Sequence, residues 1–84
     1  MVQSQLNFRE RPSPATLFTY GSQSYQIYER LLMGPLTNAE IVRGIGAFNS
    51  TGRISDIRKA LKPYLMDIEA TRVKRGLYSY ELKG

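Results

Sequence analysis

The chain has 84 residues, 42% hydrophobic and 23% charged, which allows one small folded domain and excludes wholesale disorder or a second core. It has no Cys and no His, which excludes disulfides, thiolate chemistry, Cys-based zinc sites and the commonest general base. Twelve Lys and Arg against seven Asp and Glu give a net charge of +5, the balance of a protein that meets nucleic acid, an anionic surface or an acidic partner. No apolar run approaches the ~20 residues of a membrane span, and Met1–Asn7 has no basic start leading into an apolar stretch. A cytoplasmic location without membrane contact, in a bacterial or phage-infected host cell, is therefore expected.

Residues 1–20 are rich in Gln, Ser, Asn and Thr and carry Pro12 and Pro14, which disfavour helix and ladder alike. They are predicted to form an extended or disordered N-terminal arm before a domain spanning residues 21–84. Phe18 and Tyr20 are expected to complete that domain's core, and Arg9 and Arg11 to offer phosphate contacts that Glu10 weakens. A first helix should begin near Ser22 or Ser24, with Tyr25, Tyr28, Leu31 and Leu32 at helical spacing, and stop at Gly34-Pro35. Thr37-Asn38-Ala39-Glu40 is a capping box that opens a short second helix, with Ala39, Ile41 and Val42 on its inner side. Gly44-Ile45-Gly46 then makes a tight turn, and Ala47 and Phe48 are expected to plug the junction behind it.

Asn49, Ser50 and Thr51 are three successive caps for a third helix, in which Ile54, Ile57 and Leu61 form one apolar stripe ended by Pro63. The remainder reads as a β-hairpin. Leu65–Arg72 puts Ile68 and Ala70 on one face, and Leu77–Leu82 puts Tyr78, Tyr80 and Leu82 on one face. Val73–Gly76 is the predicted turn.

Three helices followed by a hairpin, with a glycine-containing turn before the third helix, is the order of a winged helix-turn-helix. Residues 36–82 resemble the small winged helix-turn-helix domains of bacteriophages and prophages. The resemblance is carried by Leu36-Thr37-Asn38-Ala39-Glu40-Ile41, by Arg53-Ile54-Ser55-Asp56-Ile57-Arg58-Lys59 and by Tyr78-Ser79-Tyr80-Glu81-Leu82. The chain departs from the usual Lys-x-Gly step between helix and wing, where it has Lys62-Pro63-Tyr64, and the arm has no counterpart. The resemblance implies an α+β fold, mainly α with a β-hairpin. It also implies double-stranded DNA as partner, with helix 49–62 in the major groove and the 72–76 wing on the backbone or minor groove.

With about 100° between successive residues, Ile54, Ile57 and Leu61 set the inward direction of the third helix. Gly52, Ser55, Asp56 and Lys59 then point outward, with Thr51 and Lys62 on one flank and Arg53 on the other. Ser50 and Thr51 stand at the helix start, where hydroxyls and free N–H groups suit a phosphate. Ser55, Lys59 and Arg53 have the reach and chemistry for base edges. Asp56 repels phosphate and is expected to pair with Arg53 or Lys59. Arg72, Lys74 and Arg75 charge the wing, and Arg58, beside the stripe, is expected to brace the helix against a neighbouring element. Seven of the twelve basic residues fall in the third helix and the wing.

Asp67 and Glu69 read as a solvated strand face, and the six tyrosines as core packing. No nucleophile–base pair is visible, so neither an enzyme nor a cofactor, metal or small-molecule substrate is expected. The expected role is a small transcriptional regulator of a phage or mobile element, dimeric or bound beside another protein. The rival expectation is a protein-interaction module that docks through the arm, as an assembly adaptor or an inhibitor of a host defence or machine.

Overall fold

A computed structural model describes residues 11–46 and 48–84; Arg9, Glu10 and the rest of residues 1–10, and the expected plug Ala47, lie outside the described residues. The chain is a mixed α+β unit of four helices and a small three-stranded antiparallel sheet.

The first of these helices is a single turn, α1, over Pro14–Leu17. Ser13 is extended, as a residue before proline prefers, and Pro14 sits in the first turn, where its missing N–H costs nothing. The proline pair therefore starts a helix rather than preventing one, which corrects the expectation of an extended arm for this part of residues 1–20. The turn is held to the body of the protein: Tyr28 Oη donates to Pro12 O (2.8 Å), and the Phe18 ring meets the Tyr28 ring edge-on at 5.8 Å. Leu17 and Phe18 pack against the core, whereas Tyr20 is 82% exposed and stacks edge-on against Tyr25 outside it. Burial raises the Tyr28 phenol above its ordinary pKa, so it remains a hydrogen-bond donor.

Helix α2, Gln23–Met33, opens on Ser22, whose hydroxyl accepts from Tyr25 N–H, and closes at Gly34. It buries Ile27, Tyr28 and Leu31. Strand β1 is two residues, Leu36–Thr37, and leads directly into α3, Asn38–Glu40. The capping box forms as the sequence implied: Thr37 Oγ1 accepts from Glu40 N–H, and Glu40 Oε1 accepts from Thr37 N–H at 2.8 Å. These bonds, the Thr37 backbone N–H foremost, hold the Glu40 carboxyl below its ordinary pKa.

The helical path of α3 continues as a wider π turn, Ile41–Ile45, before Gly46 ends it in the left-handed region (φ 82°). Gly46 N–H donates to both Ile41 O and Val42 O and so closes the turn. Phe48, expected as a plug, is 86% exposed in the loop that follows. Ile41 before this loop and Ile54 after it belong to the buried core.

Helix α4, Ser50–Leu61, is capped by Asn49, whose Oδ1 accepts from Gly52 N–H at 3.1 Å. A Cβ at Gly52 would collide with the Asn49 amide, so glycine there lets the cap fold back. Ile54, Ile57 and Leu61 are buried together, as their spacing predicted. A 3-10 turn over Lys62–Tyr64 follows. Leu65 N–H then donates to Lys62 O and Met66 N–H to Leu61 O, the bond pair of a Schellman stop. Leu65 occupies its left-handed position (φ 58°), which glycine usually takes.

That stop delays the first hairpin strand. Strand β2 runs Asp67–Lys74 and β3 runs Leu77–Lys83, so Val73 and Lys74 belong to the strand, Lys74 pairs with Leu77, and the turn shrinks to Arg75-Gly76. A bulge lies between Arg72 and Lys74. The sheet order is β1-β3-β2, with Leu36 opposite Tyr80 and Ile68 opposite Leu82. Ile68, Tyr80 and Leu82 face the core, whereas Ala70 and Tyr78, expected there, are exposed. Alternation fixes which side a residue faces, but α4 does not cover that side as far as Ala70 and Tyr78.

Candidate nucleic-acid interface

Helix α4 packs across β2, which brings its first two turns beside the middle of the hairpin. Thr51, Ile54, Ser55 and Arg58 of the helix line an open groove of about 500 Å³ whose far wall is Ala70, Tyr78 and Tyr80. Arg58 also reaches Asp67 and Ile68, nearer the foot of the hairpin. The start of α4 is therefore the end nearer the hairpin tip, and Arg72, Lys74 and Arg75 continue past it.

Arg58 fixes this crossing. Its Nη2 donates to Ile68 O at 2.8 Å, and its Nε lies 3.5 Å from Asp67 Oδ1, out of line for a hydrogen bond. Asp67 Oδ1 meanwhile accepts from Ile68 N–H at 2.7 Å. β2 is an outer strand, so a carbonyl there has no strand to meet on its free side. The guanidinium supplies that partner and holds the helix to the hairpin, the bracing role expected from its place beside the stripe.

Thr51, Ser55, Asp56 and Lys59 are exposed on α4, as is Lys62 just beyond it. Arg53 is half-buried and pairs with Asp56 at 3.2 Å, one of the two intrahelical pairings the spacing allowed. This partly neutralises the carboxylate at the middle of the outer face and occupies one edge of the Arg53 guanidinium. Ser50 is half-buried and falls at i−4 from Ile54 and i−7 from Ile57, on the inward face. The helix start is capped by Asn49 rather than by Ser50 or Thr51.

The hairpin tip is exposed from Arg72 through Gly76. Among the described residues, no carboxylate lies within ion-pairing distance of Lys59, Lys62, Arg72, Lys74 or Arg75. The acidic groups of the hairpin are engaged at its other end. Glu69 and Glu81 stand directly opposite each other on β2 and β3, and Lys83 Nζ bridges them at 3.2 and 3.6 Å. The bond and charge of Glu69, with Glu81 beside it, raise the Lys83 ammonium above its ordinary pKa. Charge thus separates along the hairpin, with carboxylates at the foot and unopposed cations at the tip.

Sequence reasoning missed one residue that shapes this surface. The Asn38 side chain bonds to the hairpin at Gly76 O (3.1 Å) and Tyr78 N–H (3.0 Å). Its place inside a capping box drew it into a purely local reading. Among the described residues no three His, Cys, Asp or Glu side chains group to hold a metal ion, and no helix is long and apolar enough to cross a membrane. The chain matches no protein-family model, and no curated protein or solved structure is significantly similar to it.

Proposed function

We propose that the protein is a duplex DNA-binding module with a winged helix-turn-helix arrangement, acting as a small regulator of a phage or mobile element. In this reading α2, α3 and α4 are the three helices, β2 and β3 form the wing, and β1 closes the sheet in the order β1-β3-β2. The observation that carries the reading is that the exposed cations of these two elements have no carboxylate partner among the described residues: Lys59 and Lys62 toward the end of α4, and Arg72, Lys74 and Arg75 on the wing. Such a surface matches the phosphates of a duplex, and the exposed Ser55 and Lys59 beside it offer donors to base edges.

The two parts of the surface have different tasks. α4 lies in the major groove, where Ser55 and Lys59 read bases and Arg53 reaches guanine when it turns from Asp56. Thr51 and Lys62 grip the flanking backbone, and the wing cations hold phosphates or enter the minor groove. Ser50, half-buried on the inward side of α4, is left out of the contact set.

The rival reading, a protein-interaction module that docks through the N-terminal arm, has less support over the described part of the arm, because Leu17 and Phe18 pack against the domain's own core.

Selection of bound sequences from a random duplex pool tests the proposal. The full chain is expected to enrich a short site. Lys59→Ala and Ser55→Ala should flatten the preference at one or two positions, with about 1–3 kcal/mol of discrimination lost at each. Lys74→Ala should leave the selected site unchanged and weaken all duplexes alike. Failure of the wild-type chain to enrich any sequence, or identical effects of the three substitutions, would refute this division.

A further inference from the structure

Strand β1 ends after two residues, so its backbone pairing with β3 stops at Thr37 opposite Ser79. Asn38 is already helical and has no strand backbone to offer. Its side chain supplies the missing rung, with Nδ2 donating to Gly76 O and Oδ1 accepting from Tyr78 N–H, at 3.1 and 3.0 Å. A carboxamide carries one donor group and one acceptor in a single plane, which is what a strand edge presents. The two bonds cross 38 and 40 residues of chain and land where the turn enters β3. Among the described residues no other side chain hydrogen-bonds to the turn. Across the hairpin, Tyr78 faces Arg72, and Gly76 is flanked by Arg75 and lies two residues beyond Lys74.

We infer that Asn38 is the positioning residue of the wing: it ties the hairpin tip to the start of α3 so that Arg72, Lys74 and Arg75 meet the same duplex as α4. The inference rests on the DNA-binding reading above. A hairpin whose tip stood free would sample many directions and lose that freedom on binding, at a cost in affinity. Two bonds to a helix remove much of that freedom beforehand. The wing's contacts are electrostatic, so Asn38 governs overall affinity and salt dependence and leaves base preference alone.

The test is fluorescence anisotropy of the full chain on a random-sequence duplex and on a selected site, across a salt series. The variants are Asn38→Ala, Asn38→Asp, the double substitution Lys74→Ala/Arg75→Ala, and Asn38→Ala on that double background. Asn38→Asp guards against a folding defect. It keeps the acceptor for Tyr78 N–H and suits the first turn of a helix, yet lacks the donor to Gly76 O. Both Asn38 variants should bind about three- to tenfold more weakly on every duplex, with a salt slope lower by roughly one phosphate contact. On the double background Asn38→Ala should change affinity by less than about twofold, because two of the three contacts it positions are gone. Hydrogen exchange of the Tyr78 amide should quicken in Asn38→Ala. An equal loss on both backgrounds would overturn the inference, as would a faster Tyr78 exchange with unchanged affinity. If the wild-type chain binds no duplex, the DNA reading falls first and the positioning role with it.

Discussion

Arg58 shows how one side chain serves both the fold and the site. It is basic, lies on the third helix and sits within the Arg-Ile-x-x-Ile-Arg run, so by composition it belongs with the nucleic-acid contacts. Its guanidinium is instead spent on Ile68 O and Asp67. Arg58→Ala removes a charge-assisted bond to a carbonyl that has no strand partner on that side. The expected loss is about 1–2 kcal/mol, at the modest end because the side chain is partly exposed. Urea denaturation should show a lower midpoint with an unchanged slope. Arg58→Lys should recover less than half of the loss, since an ammonium cannot span both partners. A neutral Arg58→Ala would mean that α4 is held by its apolar stripe alone.

At the scale of elements, the junction between α4 and β2 carries visible strain. Leu65 holds a left-handed conformation that costs a residue with a Cβ roughly 1–2 kcal/mol. It is 76% exposed and buries little in return. Leu65→Gly should therefore raise stability by about 0.5–1 kcal/mol after the greater freedom of glycine in the unfolded chain is subtracted. Thermal unfolding monitored by far-UV circular dichroism measures this directly, and a loss of stability would show that Leu65 makes apolar contacts that matter. The same junction marks where sequence reasoning stops working. Ser22, the Thr37–Glu40 box and Asn49 were legible because a cap and its target lie two or three residues apart. The Ile54–Ile57–Leu61 stripe was legible because its period is local. β1 was invisible, because two residues become a strand only by meeting Tyr80 and Ser79 some forty positions later. Val73 and Lys74 looked like turn residues, yet a bulge at Val73 lets the strand run on and pairs Lys74 with Leu77. Phe48 looked like a plug because it is aromatic and sits between two helices, yet it is exposed, which composition does not reveal. The basic members of the candidate surface were readable as a cluster. A pairing of Asp56 along the helix and a bracing role for Arg58 were readable too; that Asp56 takes Arg53, that Arg58 holds β2 and that Ser50 turns inward required the packing.

For the whole molecule, the central claim is that charge is arranged, not merely abundant. The net charge of +5 would be unremarkable on a soluble domain if spread evenly. Here the hairpin carboxylates are gathered at its foot, Asp56 is answered by Arg53, and, among the described residues, Lys59, Lys62, Arg72, Lys74 and Arg75 have no carboxylate partner. The measurement that tests this most directly is the affinity of the full chain for duplex DNA as a function of salt. Neutralising several phosphates releases their counterions, so the log–log plot should fall with a slope of roughly −3 to −5. Replacing Lys74 and Arg75 together by Ala should make the slope shallower by about two contacts. A flat plot, or a slope that ignores the wing substitutions, would contradict the account and leave the basic face without a nucleic-acid role.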